Sequence, residues 1–136
     1  MMNKKRNNYL IAIADKALHE EGFILKDGCI KDGYNGQTAA LGVTIAMSEL
    51  LPALAIYIQE GSESRGVDRK NILDVIGKMI HEDEDFSIMK EICDARTLWT
   101  TAIAAKKEES EFKQLQKEVI DCSIALKQVI RTYNLV

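Results

Sequence analysis

The chain has one proline, Pro52, in 136 residues, and its aromatics amount to 6%. Such a composition speaks against disorder and against an all-β sandwich with its many turns. Cysteine is scarce and scattered, at Cys29, Cys93 and Cys122. No Cys-x-x-Cys pair exists, so zinc-ribbon and thioredoxin-like motifs are excluded. An odd thiol count, with no uninterrupted apolar run after Met-Met-Asn-Lys-Lys-Arg, leads us to expect a reducing, cytoplasmic setting. An excess of cations is also missing. Eighteen Lys and Arg face twenty-one Asp and Glu, a net charge of −3, which is unlike a free-standing nucleic-acid binder. With 29% charged and 46% apolar residues the composition is that of an ordinary globular protein, and the length suits one domain spanning residues 1–136.

What the chain does have is an apolar stretch from Thr38 to Ile58, twenty-one residues whose single charge is Glu49. A helix apolar all round must be surrounded, by other helices or by lipid. Glu49 near mid-span costs roughly 2.5–3.5 kcal/mol in hydrocarbon, and Pro52 interrupts the backbone ladder close by. The remaining residues supply enough amphipathic helix to wrap the segment. A bundle packed around this helix is therefore expected, rather than a membrane span.

The other segments have helical spacing. Leu10, Ile13, Ala14, Ala17 and Leu18 share a face of a first helix that Gly22 should end. Asp27 to Gly36 reads as a loop. Pro52 marks a kink or the first turn of a second helical piece. Gly61 to Val67 reads as an exposed loop, and Asp68 as the N-cap of a helix with Ile72, Val75, Ile76, Met79 and Ile80 inside. The acidic run Glu82–Asp85 should be a solvated cap of the next helix, whose stripe is Ile88, Met89, Ile92, Ala95, Trp99, Ala102 and Ile103. Lys106 to Glu111 is a charged break. Phe112, Leu115, Val119, Cys122, Leu126, Val129 and Tyr133 then alternate by three and four, and Ile120, Ile124 and Ile130 widen the face beyond a coiled-coil seam. The expected fold is an all-α single-domain bundle of five to six helices.

Motifs of catalysis and metal binding are scarce. His19 and His81 both sit among carboxylates, yet consecutive acids at a helix start point in different directions, and His-Glu-Glu lacks the second histidine of a zincin. Gly33-Tyr34-Asn35-Gly36 matches a bare KH-type Gly-x-x-Gly without the strands that loop needs. Gly61 and Gly66 have Walker A spacing, with Val67 and Asp68 where Lys and Ser/Thr are required. We expect no enzyme, no cofactor and no metal, although a site assembled only in the fold, joining a histidine to buried carboxylates, would change that.

The charge pattern says more. Lys113 and Lys117 are one helical turn apart, as are Lys127 and Arg131, and fourteen residues separate the pairs, so all four fall on roughly one side. Asp121 interrupts that side and can pair with Lys117. On pattern alone this is a solvated face with local ion pairs; a sharper reading is a short basic track for phosphates or an acidic neighbour. Arg65, Arg69 and Lys70 form a second basic cluster, at a loop-to-helix junction suited to anions.

Tyr34, Gly36 and the run Met47-Ser48-Glu49-Leu50-Leu51-Pro52-Ala53-Leu54-Ala55-Ile56-Tyr57 resemble the central signature of the small helical subunit of the type III-B CRISPR effector, the Cmr complex. The ending Ala125-Leu126-Lys127-Gln128-Val129-Ile130-Arg131-Thr132-Tyr133-Asn134-Leu135 resembles the Ala-Leu-Lys…Arg-Thr-Phe ending of bacterial members. The likeness spans most of residues 9–135. Two departures stand out: Glu49 occupies a step where Gly is common in that family, and the net charge is acidic where members are basic. The resemblance implies a non-catalytic scaffold of antiviral defence. It would pack with other Cmr subunits and copies of itself along the guide RNA and line the target RNA path, with no membrane involved. Lys113, Lys117, Lys127 and Arg131 would then face RNA, with Arg65, Arg69 and Lys70 next. The rival is a helical adaptor of another cytoplasmic assembly that touches protein only.

Overall fold

The computed structural model describes residues 3–59, 63–64 (backbone), 66–86 and 89–136. Arg65, Gly61 and Ile88, singled out above, lie outside the described residues. Six helices are present among the described residues: α1 (Lys4–Glu20), α2 (Asp32–Ser48), α3 (Leu50–Ile58), α4 (Arg69–Glu82), α5 (Ala95–Ala105) and α6 (Glu109–Ile130). The chain is an all-α bundle, as the periodicity predicts.

Side chains cap α1, α4 and α5 locally, whereas α2 and α3 start without a side-chain cap. The Asn3 side chain accepts the Arg6 N–H at 2.8 Å and opens α1. Asp68 accepts the Lys70 N–H at 3.0 Å and opens α4, the cap expected from sequence. Asp94 and Thr97 form a reciprocal capping box at α5. α1 ends where Gly22 takes a left-handed backbone, φ +72°. α2 begins at Asp32 rather than after Gly36, so the expected loop is shorter. Its first turn is held by the chain's last residues: Asp32 N–H donates to the Val136 carbonyl at 2.8 Å, and Ile30 N–H to that of Asn134 at 2.9 Å.

The apolar stretch breaks at Glu49, and Pro52 falls in the first turn of the second helical piece, one of its two expected places, rather than at a kink. Glu49 has φ +70° and ψ 178°, a conformation open essentially to glycine alone. The break has a reason. In an unbroken helix the Pro52 ring would strike the Ser48 carbonyl. Starting α3 at Leu50 puts Pro52 in the first turn, where its missing N–H has no partner to lose. The Leu50 N–H is satisfied from another helix, by the Gln116 side-chain oxygen at 3.0 Å.

α4 lies at the middle and touches every other helix. Its face of Ile72, Leu73, Val75, Ile76, Met79 and Ile80 is buried, and truncating any such large side chain to Ala costs about 2–5 kcal/mol. Gly77 lets the main chain of Asp94 come so close that a Cβ at 77 would lie 2.7 Å from its N and O atoms. The Asp74 carboxylate accepts the Ala95 N–H at 2.8 Å beside it, and burial, the largest influence, pushes its pKa up.

The segment between α4 and α5 differs from expectation. Met89 and Ile92 are buried but not helical, and α5 starts only at Ala95. Glu63–Ser64 and Val67–Asp68 pair as two short antiparallel strands, β1 and β2, where the sequence reads as loop. The sheathing of residues 38–58 is one-sided. Leu41, Ile45, Leu50, Ala53, Leu54 and Tyr57 are in the core, while Val43 (59% exposed) and Met47 (83%) face outward. No helix of the described residues is long and apolar enough to cross a membrane.

Candidate docking and nucleic-acid interface

α2 and α6 run antiparallel, since Arg131 Nε donates to Asn35 Oδ1 at 3.2 Å at one end and Gln116 holds Leu50 at the other. Between them lies an open groove of about 320 Å³, lined by Thr38, Ala39, Gly42, Val43, Ala46, Ile120, Ser123, Ile124 and Lys127. α2 contributes apolar residues here because its sequence is apolar on every side, with Asp32 its only charge. α6 contributes Ile120 and Ile124, the residues that widen its stripe.

The basic residues expected on α6 are placed unevenly. Lys113 Nζ is 3.0 Å from Glu109, and Lys117 Nζ is 2.8 Å from Asp121, both one turn away on the same helix. Lys127 is half-buried at the groove, and Arg131 stands at its end beside Asn35. Arg69 holds its guanidinium carbon 5.4 Å over the Tyr57 ring, a cation–π arrangement. The Tyr57 hydroxyl donates to the Gln37 carbonyl at 2.7 Å, and burial pushes its pKa up to about 12. Lys70 stands in the field of Asp74 and Asp94, whose carboxylates it favours as anions. Two residues distant in sequence meet the same turn of α2: Arg131 through Asn35, and Asn71 of α4, whose amide donates to the Tyr34 hydroxyl at 3.0 Å. Tyr34 in turn stacks on Phe23, with centroids 4.0 Å apart.

A second feature escaped the sequence. The acidic run is not wholly solvated: Asp83 is fully buried, with Glu118 3% and Asp121 5% exposed. Arg6 of α1 reaches this group. Its Nη1 donates to Asp83 at 2.9 Å, its Nη2 to Glu118, and its Nε lies 3.8 Å from Asp121. With Lys117 on Asp121, two cations stand against three carboxylates, and Arg6 alone serves Asp83 and Glu118. Burial and the neighbouring Asp83 push Glu118 up to about 8, against the pull of Arg6. The protonated form of Glu118 is thus favoured, with Asp83 as its acceptor. Burial works against ionised Asp83, but Glu118 and Arg6 outweigh it and hold Asp83 below the usual carboxylate range.

The histidines stand apart from these carboxylates. His81 is exposed with Nδ1 3.0 Å from the Lys90 carbonyl oxygen. His19 lies 3.7 Å from Asp15 and 3.2 Å from the Tyr133 hydroxyl, at the surface. Among the described residues no group of three or more His, Cys, Asp and Glu could hold a metal ion.

No family model, no curated protein and no solved structure matches this chain.

Proposed function

We propose that this chain is a non-catalytic structural subunit of a type III-B CRISPR ribonucleoprotein. It packs with the other subunits and with copies of itself beside the guide RNA and its target, in antiviral defence. The observation that carries the reading is a single face. The outer strip of α2, with Val43 and Met47 exposed, runs beside an α6 surface that ends in Lys127 and Arg131. An apolar helix left half uncovered is a surface that awaits a neighbour. Cations at its end suit a phosphate backbone held by charge and shape, since guide pairing reads the sequence. The resemblance over Met47–Tyr57 and Ala125–Leu135 supports the choice of assembly. Glu49 adds support: its backbone has the glycine conformation at the step where that family commonly has Gly.

The protein-only adaptor is the second reading. It is favoured by the ion pairs of Lys113 with Glu109 and Lys117 with Asp121, which leave those two cations less to offer RNA.

Reconstitution separates the two. With guide-bound effector subunits from the same source, the wild-type chain is expected to be retained. The variant Arg131→Glu, at a position outside the groove lining, is expected to be retained too, with target-RNA affinity lowered at low salt. Retention with unchanged affinity would remove the RNA contact from this side of α6, and loss of retention by the wild type would remove the effector reading in favour of an adaptor of another assembly.

A further inference from the structure

The floor of the α2–α6 groove is flat and apolar. Gly42 faces α6, where a Cβ would make an ordinary contact with the Ser123 hydroxyl at 3.4 Å. Val43 and Ile124 rise on either side, 59% and 40% exposed. Thr38 also lines the floor; it is 1% exposed and its hydroxyl has no hydrogen-bond partner among the described residues. The Thr38 hydroxyl is sealed beneath the floor, so the surface offered to an occupant is apolar with one cation, Lys127, in its wall. At about 320 Å³ its size suits a few side chains of one helix, not a whole domain face.

The lining selects among occupants. Lys127 is its only charged residue, and it contains no carboxylate. Copies of this chain paired groove to groove would leave both Lys127 ammonium groups without a counter-charge. Nucleic acid laid along the floor itself would meet no aromatic ring and no cation besides Lys127, since Arg131, the cation set toward RNA, lies beyond the lining at the Asn35 end. We propose that this groove seats an amphipathic helix of a different protein, which inserts apolar side chains over Gly42 and places a carboxylate at Lys127. The inference rests on the reading of the chain as an assembly subunit and adds to it a surface and a partner chemistry. The helix-in-groove mode gives affinity through anchors spaced one turn apart and orientation through the terminal charge.

The test uses the full chain and two fluorescein-labelled designed helical peptides. Both carry leucines one turn apart along one face, and they differ in having Glu or Lys at the end that meets Lys127. Fluorescence anisotropy is expected to show the Glu peptide binding roughly fivefold more tightly than the Lys peptide. Lys127→Glu should reverse that order. Val43→Glu should abolish binding of both while leaving the circular dichroism spectrum and melting temperature unchanged, because Val43 is exposed. Equal binding of the two peptides, undiminished binding to Val43→Glu, or no binding at all would overturn the proposal. So would a wild-type dimer in light scattering that Val43→Glu dissolves, which would name a second copy as the occupant. Effector subunits that retain Val43→Glu as well as wild type would sink the groove and spare the assembly. A chain that the effector subunits do not retain, but that still discriminates the peptides, would sink the effector and spare the groove.

Discussion

Arg6 Nη1 donates to Asp83 Oδ2 at 2.9 Å, which ties the first turn of α1 to the end of α4 across 77 residues of chain. Glu118 completes the contact from α6. In this trio Arg6 favours the charged form of Asp83, while burial and Asp83 favour the protonated form of Glu118.

The trio makes stability depend on pH. The folded pKa of Glu118, about 8, lies above its ordinary value of 4.5, so the folded state holds the extra proton between those values. Its contribution is complete below the ordinary value and is lost as pH rises through about 8. Asp83 acts in the opposite sense, because its folded pKa is depressed: its contribution is present above its ordinary value and disappears in acid. Urea midpoints measured from about pH 5 to about pH 9 should fall for the wild type. Glu118→Gln, which can still donate to Asp83 and accept from Arg6, should flatten that decline. A decline of equal slope in the variant would mean that another group is responsible.

Glu49→Gly should stabilise the protein. Relief of a backbone with φ +70° is worth about 1–3 kcal/mol. The greater freedom of glycine in the unfolded chain takes back about 0.5–1 kcal/mol. The net gain of roughly 1 kcal/mol corresponds to a melting temperature about 3–5 °C higher. Glu49→Ala keeps the strain and should change stability by less than about 0.5 kcal/mol. Equal gains from both substitutions would put the cause in the lost charge instead.

Gly77→Ala should do the reverse. Alanine favours a helix over glycine by about 1 kcal/mol. The added Cβ, however, meets the Asp94 main chain at 2.7 Å, and neither α4 nor the capping box of α5 can easily yield. A net loss of about 1–3 kcal/mol is expected, read as a lower urea midpoint with unchanged slope.

The three thiols should react in a set order. Cys93 is exposed, Cys29 is half-buried and Cys122 is fully buried next to Glu118. Burial pushes the Cys122 thiol well up, and for Cys29 burial and the neighbouring Asp27 act in the same direction. With a thiol reagent under native conditions Cys93 is expected to label first and Cys122 only on unfolding. Early modification of Cys122, seen by peptide mass, would contradict the packing of α6.

Where one side of a helix is apolar, the sequence announces it. The inner residues of α4 and α6 stand where their spacing puts them, and Asp68 caps α4 as its position suggests. Period fails where there is no contrast. α2 and α3 are apolar around most of their circumference, so neither the break at Glu49 nor the exposed strip of Val43 and Met47 has a signature in spacing. Met89 and Ile92 mislead for another reason: their spacing continues the rhythm of α5, yet they are buried from an irregular segment. The basic residues of α6 were legible as a side, but their ion pairs with Glu109 and Asp121 draw half of them into the helix's own surface. Asp83 was hidden most completely. Four consecutive acids look solvated until Arg6, far away in the chain, is brought against one of them. The groove has the same origin, since two distant segments each supply half of it.

The contact made by Arg6 also bears on how the amino end can be handled. Those opening residues look like a spare leader, inviting a tag or a shortened clone. Removing them would strip the cation from Asp83 and Glu118, two acids sealed inside the bundle, while Asp121 keeps Lys117. Damage from so small a trim would surface between α4 and α6, far along the chain from the cut.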